Sequence, residues 1–179
     1  MTLWVCLLRG INVGADRKLP MADLKAAMAA LGAEAVETYI QSGNVVFTGD
    51  IEPEVFARDM SAALAQSHGF QPEVLVLPAD AVLRAEAAYP FAPDGPGDKP
   101  AHVWFCARPP GSPDLAPLDA VALPSETYAL DGTLFFLRAP EGIGRSKLAA
   151  KVERVLGVPA TARNLKTVAA LAEMIRART

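Results

Sequence analysis

The chain is poor in the residues on which many specialised functions depend. Its 179 residues include two cysteines and two histidines, too few and too scattered for a zinc site or a disulfide framework. Aromatic residues make up only 7% of the sequence. No apolar run approaches the roughly 20 residues of a membrane span. Motifs for a nucleophile elbow or paired carboxylates are also absent. The sequence therefore predicts no metal site, and it identifies neither a cofactor nor a catalytic residue.

The remaining composition is that of an ordinary globular protein. Hydrophobic residues make up 51% and charged residues 21%, which excludes bulk disorder. The net charge of −3 argues against a general nucleic-acid binder. The opening segment has no basic leader and its apolar run ends at Arg9, unlike a signal peptide. We expect a cytoplasmic protein, a monomer or homodimer, that does not enter a membrane.

Apolar periodicity and turn residues predict a β-α-β-β-α-β order for the first half of the chain. A continuous apolar run over 3–8 predicts a strand buried on both faces. Ser42 and Gly43 are typical of a hairpin turn, and Pro20 and Gly32 bracket a helix. The predicted strands cover 3–8, 36–41, 44–48 and 73–77, and the predicted helices 20–32 and 53–68. This order is that of the ferredoxin-like split unit.

The second half repeats this pattern in a degraded form. After a helix over 79–88, the Pro- and Gly-rich stretch 89–100 predicts a linker. Predicted strands over 102–107, 127–130, 133–138 and 159–163 and helices over 146–156 and 164–178 follow. We therefore predict an α+β fold of two ferredoxin-like units, over 1–88 and 101–179, with a C-terminal helix. Trp4 and Cys6 match Trp104 and Cys106 in spacing, which indicates duplication, although chance and strand composition could give the same match.

Two polar motifs lie near the start of the chain, one directly after the first predicted strand and one around the turn between the next two. A Gly-containing loop begins at Arg9 and includes Asn12, and such loops can bind an anion through backbone N–H groups. Tyr39 and Gln41 lie two apart, so on a strand they would share a face, and Asn44 would add an amide. The alternative is that these residues serve only turn geometry. We expect the loop and the hairpin to lie at opposite ends of the sheet, too far apart to share one small site.

Basic residues lie where three predicted helices begin, although the positive end of the helix dipole favours acids. Arg17 and Lys18 precede the first of these helices. In the other two, basic residues flank a predicted N-cap. These are Arg145 and Lys147 around Ser146, and Arg163 and Lys166 around Asn164. Residues 145–178 hold eight Lys or Arg and two Glu, a net of +6, so the rest carries −9 to reach −3. A bound anion would explain the basic residues at these helix starts, and so would a basic face exposed to solvent.

Several strings of this sequence resemble a bacterial family known as domain of unknown function 1697. They are Leu7-Leu8-Arg9-Gly10-Ile11-Asn12-Val13-Gly14, Thr38-Tyr39-Ile40-Gln41-Ser42-Gly43-Asn44-Val45-Val46-Phe47, Ser146-Lys147-Leu148 and Arg163-Asn164-Leu165-Lys166-Thr167-Val168. The resemblance extends over nearly the whole chain. It implies an α+β fold and residence in the cytoplasm, and it marks motif positions without assigning them roles.

The residues together favour binding of a phosphate-bearing, nucleotide-like small molecule at basic helix N-termini. The predicted ligand-binding residues are Arg9, Asn12, Tyr39, Gln41, Asn44, Ser146, Lys147, Arg163 and Asn164. A protein-interaction or structural role is the alternative. RNA binding is a third, since the split unit is also the fold of RNA-recognition domains, but these need exposed aromatics on their central strands.

Overall fold

The computed structural model describes residues 1–92 and 99–179. Within them the chain forms two four-stranded antiparallel sheets and six α-helices, which confirms the predicted α+β fold of two units. The strands are β1 Thr2–Arg9, β2 Glu34–Tyr39, β3 Asn44–Gly49, β4 Glu73–Pro78, β5 Ala101–Cys106, β6 Thr127–Asp131, β7 Leu134–Arg138 and β8 Ala160–Asn164. The helices are α1 Met21–Ala30, α2 Pro53–His68, α3 Ala79–Ala88, α4 Ala116–Asp119, α5 Val152–Leu156 and α6 Leu165–Arg176.

The chain divides into two compact units. The first comprises Met1–Arg84 with Ala170–Thr179, and the second comprises Ala85–Ala169. The C-terminal residues join the first unit through Arg178, whose guanidinium contacts Glu37 at 2.8 Å and donates to the carbonyl of Val46. The boundaries expected from the sequence, 1–88 and 101–179, stay predictions. Part of the predicted linker, 93–98, lies outside the described residues.

In the first unit the sheet has the order β2-β3-β1-β4. The apolar run of β1 is buried on both faces, as predicted: Val5 and Leu7 point one way, Cys6 and Leu8 the other. Cys6 and Leu8 join a core cluster with residues of α1 and α2, such as Leu24 and Met60. This packing holds α1 against the sheet and so fixes where the loop between β1 and α1 must run.

In the second unit the sheet has the order β6-β7-β5-β8. Its core cluster joins Trp104 and Phe135 of the sheet to Leu118 of α4 and Val152 of α5. The ring of Trp104 meets that of Phe135 edge to face at 5.7 Å, an arrangement that aromatic quadrupoles favour.

Two predicted elements of the second unit differ from the structure. The helix predicted over 146–156 is a turn and a 3-10 segment, Ala149–Lys151, before the five-residue α5 begins at Val152. The hairpin turn predicted over Asp131 and Gly132 lies one residue later, because Asp131 still pairs with Leu134. The glycine supplies the positive φ of that turn, at 56°.

No helix among the described residues is long and apolar enough to span a membrane.

The thiol of Cys106 and the phenol of Tyr128 predict how the free energy of unfolding depends on pH. Burial raises the pKa of Cys106 to about 11. Desolvation, its hydrogen bond to Asp119 and the charge of that carboxylate raise the pKa of Tyr128 to about 12. Both groups therefore keep their protons in the folded state at a pH where the unfolded chain releases them. We expect the free energy of unfolding to fall as the pH rises above about 9, since the folded state then binds more protons.

Urea unfolding at a series of pH values from about 8 to about 11.5 measures this fall. Cys106→Ala should flatten its first part and Tyr128→Phe its later part. Equal slopes in both variants and the wild type would contradict the assignment to these two groups.

Candidate functional site

The loop after β1 and the turn before β3 lie side by side. Strand β1 pairs antiparallel with β3, with Leu7 opposite Asn44, and the N–H of Leu8 donates to the carbonyl of Gly43 at 2.7 Å. The expectation that the two motifs occupy opposite ends of the sheet is therefore wrong. In antiparallel neighbours the end of one strand adjoins the start of the other, so the two motifs form one cluster in the first unit.

The side chain of Asn12 joins the loop to the turn. Its amide nitrogen donates to the carbonyls of Gln41 at 2.7 Å and Leu19 at 3.1 Å, and its oxygen accepts from the N–H of Leu19 at 2.8 Å. Both amide N–H groups are thus used within the fold. Its backbone lies in the left-handed region, at φ 53°, which asparagine tolerates. Asn12 therefore builds the site, and its amide has no N–H left for the anion contact predicted from the sequence.

The turn itself differs from the predicted hairpin. Strand β2 ends at Tyr39, which pairs with Asn44, so Gln41 lies in a four-residue turn and does not share a strand face with Tyr39. Ile40 and Gly43 both take positive φ, at 49° and 79°, and this breaks the extended alternation of side chains. The predicted joint presentation of Tyr39 and Gln41 on one face is therefore wrong.

Asn44 holds this turn together from inside. It is fully buried, and its amide nitrogen donates to the hydroxyl of Ser42 at 2.9 Å and the carbonyl of Tyr39 at 3.3 Å. A buried amide that bonds its own turn is a structural group. Asn44 thus supports the turn from which Gln41 projects and is not itself open to a ligand.

An open groove of about 350 Å³ lies beside this cluster. Its lining combines the loop, the start of α1 and the turn, through Asn12, Gly14, Lys18, Leu19, Pro20, Met21 and Gln41. Lys18 and Gln41 are exposed, and within 1–92 and 99–179 their side chains have no polar partner. The groove therefore offers one cation and one amide, next to the positive end of a ten-residue helix.

The other two basic residues of the loop are at least partly engaged. Arg9 lies 3.4 Å from Glu73, and Arg17 donates to the carbonyl of Gly10 at 3.3 Å. Arg9 was predicted to contact an anion, but it does not line the groove. Lys18, which was not among the predicted ligand-binding residues, is the cation that does line the groove.

A hydrogen-bonded series links the two helices of the first unit. Ser67 Oγ lies 2.8 Å from His68 Nδ1, and His68 Nε2 lies 3.1 Å from Asp23 Oδ2 in the first turn of α1. The hydroxyl of Ser67 donates to the carbonyl of Ala63 at 2.9 Å, so its proton points away from the ring. In an activated serine the hydroxyl proton is directed at the histidine. The series therefore ties α2 to α1 and does not create a nucleophile, and its residues are too far apart in sequence to have suggested it.

The second predicted group lies in the second unit. The oxygen of Asn164 accepts the N–H of Thr167 at 2.8 Å, which confirms Asn164 as the N-cap of α6. The oxygen of Ser146 accepts the N–H of Ala149 at 2.9 Å, but this bond closes a turn and does not cap a helix, since the N-caps of the 3-10 segment and of α5 are Leu148 and Lys151. Arg163 donates within its own strand, to the hydroxyl of Thr161 and the carbonyl of Ala162.

This group does not occupy the same place in its sheet as the first group. Asn164 lies opposite His102 near the start of β5, whereas the groove lies at the end of β1. Lys147 is exposed, but the regular helix behind it begins only at Val152.

Comparison with known proteins gives a family and a fold. A family model described as "Protein of unknown function (DUF1697)" matches residues 1–136. A search of curated proteins found no match. Among solved structures, a conserved bacterial protein from Streptococcus pneumoniae is similar at a TM-score of 0.70 and 24% sequence identity, over 98% of this chain and 99% of that one. At this identity the similarity shows a shared fold alone.

Proposed function

The chain belongs to the DUF1697 family of proteins of unknown function, as its motifs indicated, and we propose that it binds a small phosphate-bearing ligand in the groove beside Asn12. The observation that carries the proposal is the groove itself, which lies where the bond between Asn12 and Gln41 joins the loop to the turn. Among the described residues, Lys18 in this groove has no acidic partner. Phosphate oxygens are strong acceptors for an ammonium group and for backbone N–H groups at a helix start. We propose the cytoplasm as the location of this protein, which would act as a monomer or homodimer.

The residues around the groove fall into two groups, those that position the loop and the turn and those that can contact the ligand. Asn12 and Asn44 fix the loop and the turn, while Lys18 and Gln41 are free to contact the ligand. Asp23 in the first turn of α1 opposes an anion, but it faces His68 at 3.1 Å.

Thermal unfolding tests this proposal. Inorganic phosphate at about ten times its Kd should raise the Tm by roughly 3–6 °C relative to chloride at equal ionic strength, because binding to the folded state alone stabilises it. Lys18→Ala should lose most of this shift. Lys25→Ala is the matched control, since Lys25 is an exposed lysine of α1 that does not line the groove. Equal shifts in phosphate and chloride, or a full shift in Lys18→Ala, would refute the proposal.

The region around Ser146, Lys147, Arg163 and Asn164 is a weaker candidate for the same ligand class. The side-chain oxygens of Ser146 and Asn164 are already bonded and Arg163 donates within β8, which leaves Lys147 as the exposed cation among these four residues. Loss of the phosphate shift in Lys147→Ala, with Lys18→Ala unaffected, would move the site to this region.

RNA binding receives no support from the first unit. Phe47, the aromatic residue of β3, is fully buried, and Trp4 of β1 is partly buried and donates to the carbonyl of Gly49. An RNA-recognition surface needs such rings open for base stacking.

We also infer that the two units are ferredoxin-like and arose by duplication. Each follows the order β-α-β-β-α-β, with a further helix behind it. Trp4 lies opposite Phe47 just as Trp104 lies opposite Phe135. The two tryptophans are thus equivalent in pairing as well as in spacing.

A further inference from the structure

Three exposed basic side chains form a stripe along 147–156 in the second unit, where a turn and a 3-10 segment lead into α5. Lys147, Lys151 and Arg154 are exposed, and their spacing of four and then three residues places them on one side of this segment. Buried apolar residues hold its other side in the core. Like charges at this spacing repel one another. Within 1–92 and 99–179 no polar partner of the three side chains offsets the repulsion in this basic stripe.

The basic stripe is short and has an apolar centre. Ala150 is exposed, and it lies three residues after Lys147 and four before Arg154, so it adjoins both on the helix surface. The stripe extends only about 10 Å along the helix. Residues 145–154 carry four Lys or Arg and one Glu, a net of +3, so the rest of the chain carries −6 to reach −3. A compact acidic surface therefore fits the stripe better than a long polyanion, which would extend past it onto a net-negative chain.

An acidic segment with matching properties lies in the first unit, between β3 and the first turn of α2. Asp50, Glu52 and Glu54 are exposed, and in the part of the chain that the structure describes their carboxylates have no partner. Val55 follows them and is 41% exposed. Arg58 on the next turn is already paired with the neighbouring aspartate at 2.8 Å. The start of a helix favours acids, but it does not account for an exposed valine beside them.

We propose that the acidic segment of one copy of this chain docks on the basic stripe of a second copy. The three carboxylates would face the three cations, and Val55 would pack on Ala150 between them, which gives the contact an apolar centre and a charged rim. The complementary charge of two surfaces that the described chain leaves unpaired carries this inference, which does not depend on the groove or on phosphate. Such a contact is small and rich in charge, so it is weak and sensitive to salt.

A charge swap tests the contact by sedimentation equilibrium. The wild type should associate in about 20 mM NaCl, with a Kd that rises at least about tenfold in about 500 mM NaCl. Lys147→Glu with Lys151→Glu reverses the stripe, and Glu52→Lys with Glu54→Lys reverses the segment. Each double variant should be monomeric alone, because like charges then meet. Their equimolar mixture should associate again, because a reversed stripe meets a reversed segment and a native stripe meets a native one.

Matched controls and a second ligand make each outcome decisive. Lys25→Glu with Arg84→Glu gives the same net charge as the reversed stripe on exposed side chains outside both surfaces, and it should associate as the wild type does. Thermal unfolding shows that each variant is folded. A wild type that stays monomeric at low salt, a mixture that stays monomeric, or a control that loses association would each overturn the inference. Binding of a single-stranded oligonucleotide to a monomeric wild type, lost when the stripe is reversed, would instead assign the stripe to nucleic acid and also overturn it.

Discussion

Gly43→Ala should lower the free energy of unfolding by about 2–4 kcal/mol, from overpacking and from backbone strain together. A Cβ at position 43 would lie 2.7 Å from Leu8 Cβ and 3.0 Å from the Leu8 carbonyl oxygen. Leu8 is buried in a central strand, so neither atom can move without cost. The glycine also has a φ of 79°, which alanine adopts only with strain. Urea unfolding measures the loss.

Gly69→Ala separates the two causes. Gly69 has a similar φ of 74° as the C-cap of α2, but a Cβ there meets nothing within 4 Å. We expect only the strain, about 1 kcal/mol. Gly43→Ala should also abolish the phosphate shift where the protein still folds, because the turn must move away from Asn12. Equal losses in the two variants would show that contact with Leu8 is unimportant.

Asn12→Ala should lower the free energy of unfolding by roughly 2–3 kcal/mol, through lost hydrogen bonds and backbone strain. The variant removes all three side-chain bonds to Leu19 and Gln41 and places alanine at φ 53°. The loop would then separate from the turn, and the groove would lose one side. We expect the phosphate response to disappear even at temperatures where the variant is folded.

Two further variants identify what the amide contributes. Asn12→Gly removes the side chain but accepts the positive φ, so it should be less destabilised than Asn12→Ala. Asn12→Asp keeps an acceptor for the N–H of Leu19 but sets a carboxylate against two carbonyl oxygens, so it should be at least as destabilised as Asn12→Ala. If Asn12→Ala loses less than about 0.5 kcal/mol, the bonds between loop and turn contribute little to stability.

Much of the fold could be predicted from local sequence patterns. The span of α2, with Gly69 as its left-handed cap, follows from apolar spacing and a terminal glycine. The N-cap of α6 at Asn164 follows from residue type. The segment after Ser146 was harder to predict, because an apolar stripe indicates which residues face the core but does not distinguish a 3-10 turn from an α-helix.

The sequence by itself determined the α+β class, the order of the elements, and which loop and turn carry the polar residues of the candidate site. Their roles were decided only by tertiary structure. The sequence placed Asn12 and Gln41 at opposite ends of the sheet, whereas the pairing of β1 with β3 brings them into contact at 2.7 Å. In the structure Asn12 supports the loop and the turn and does not have the ligand contact predicted for it, and Lys18 lines the groove. The reason is physical: residue type and spacing fix local conformation, but a site depends on which strands lie side by side, and non-local pairing decides that.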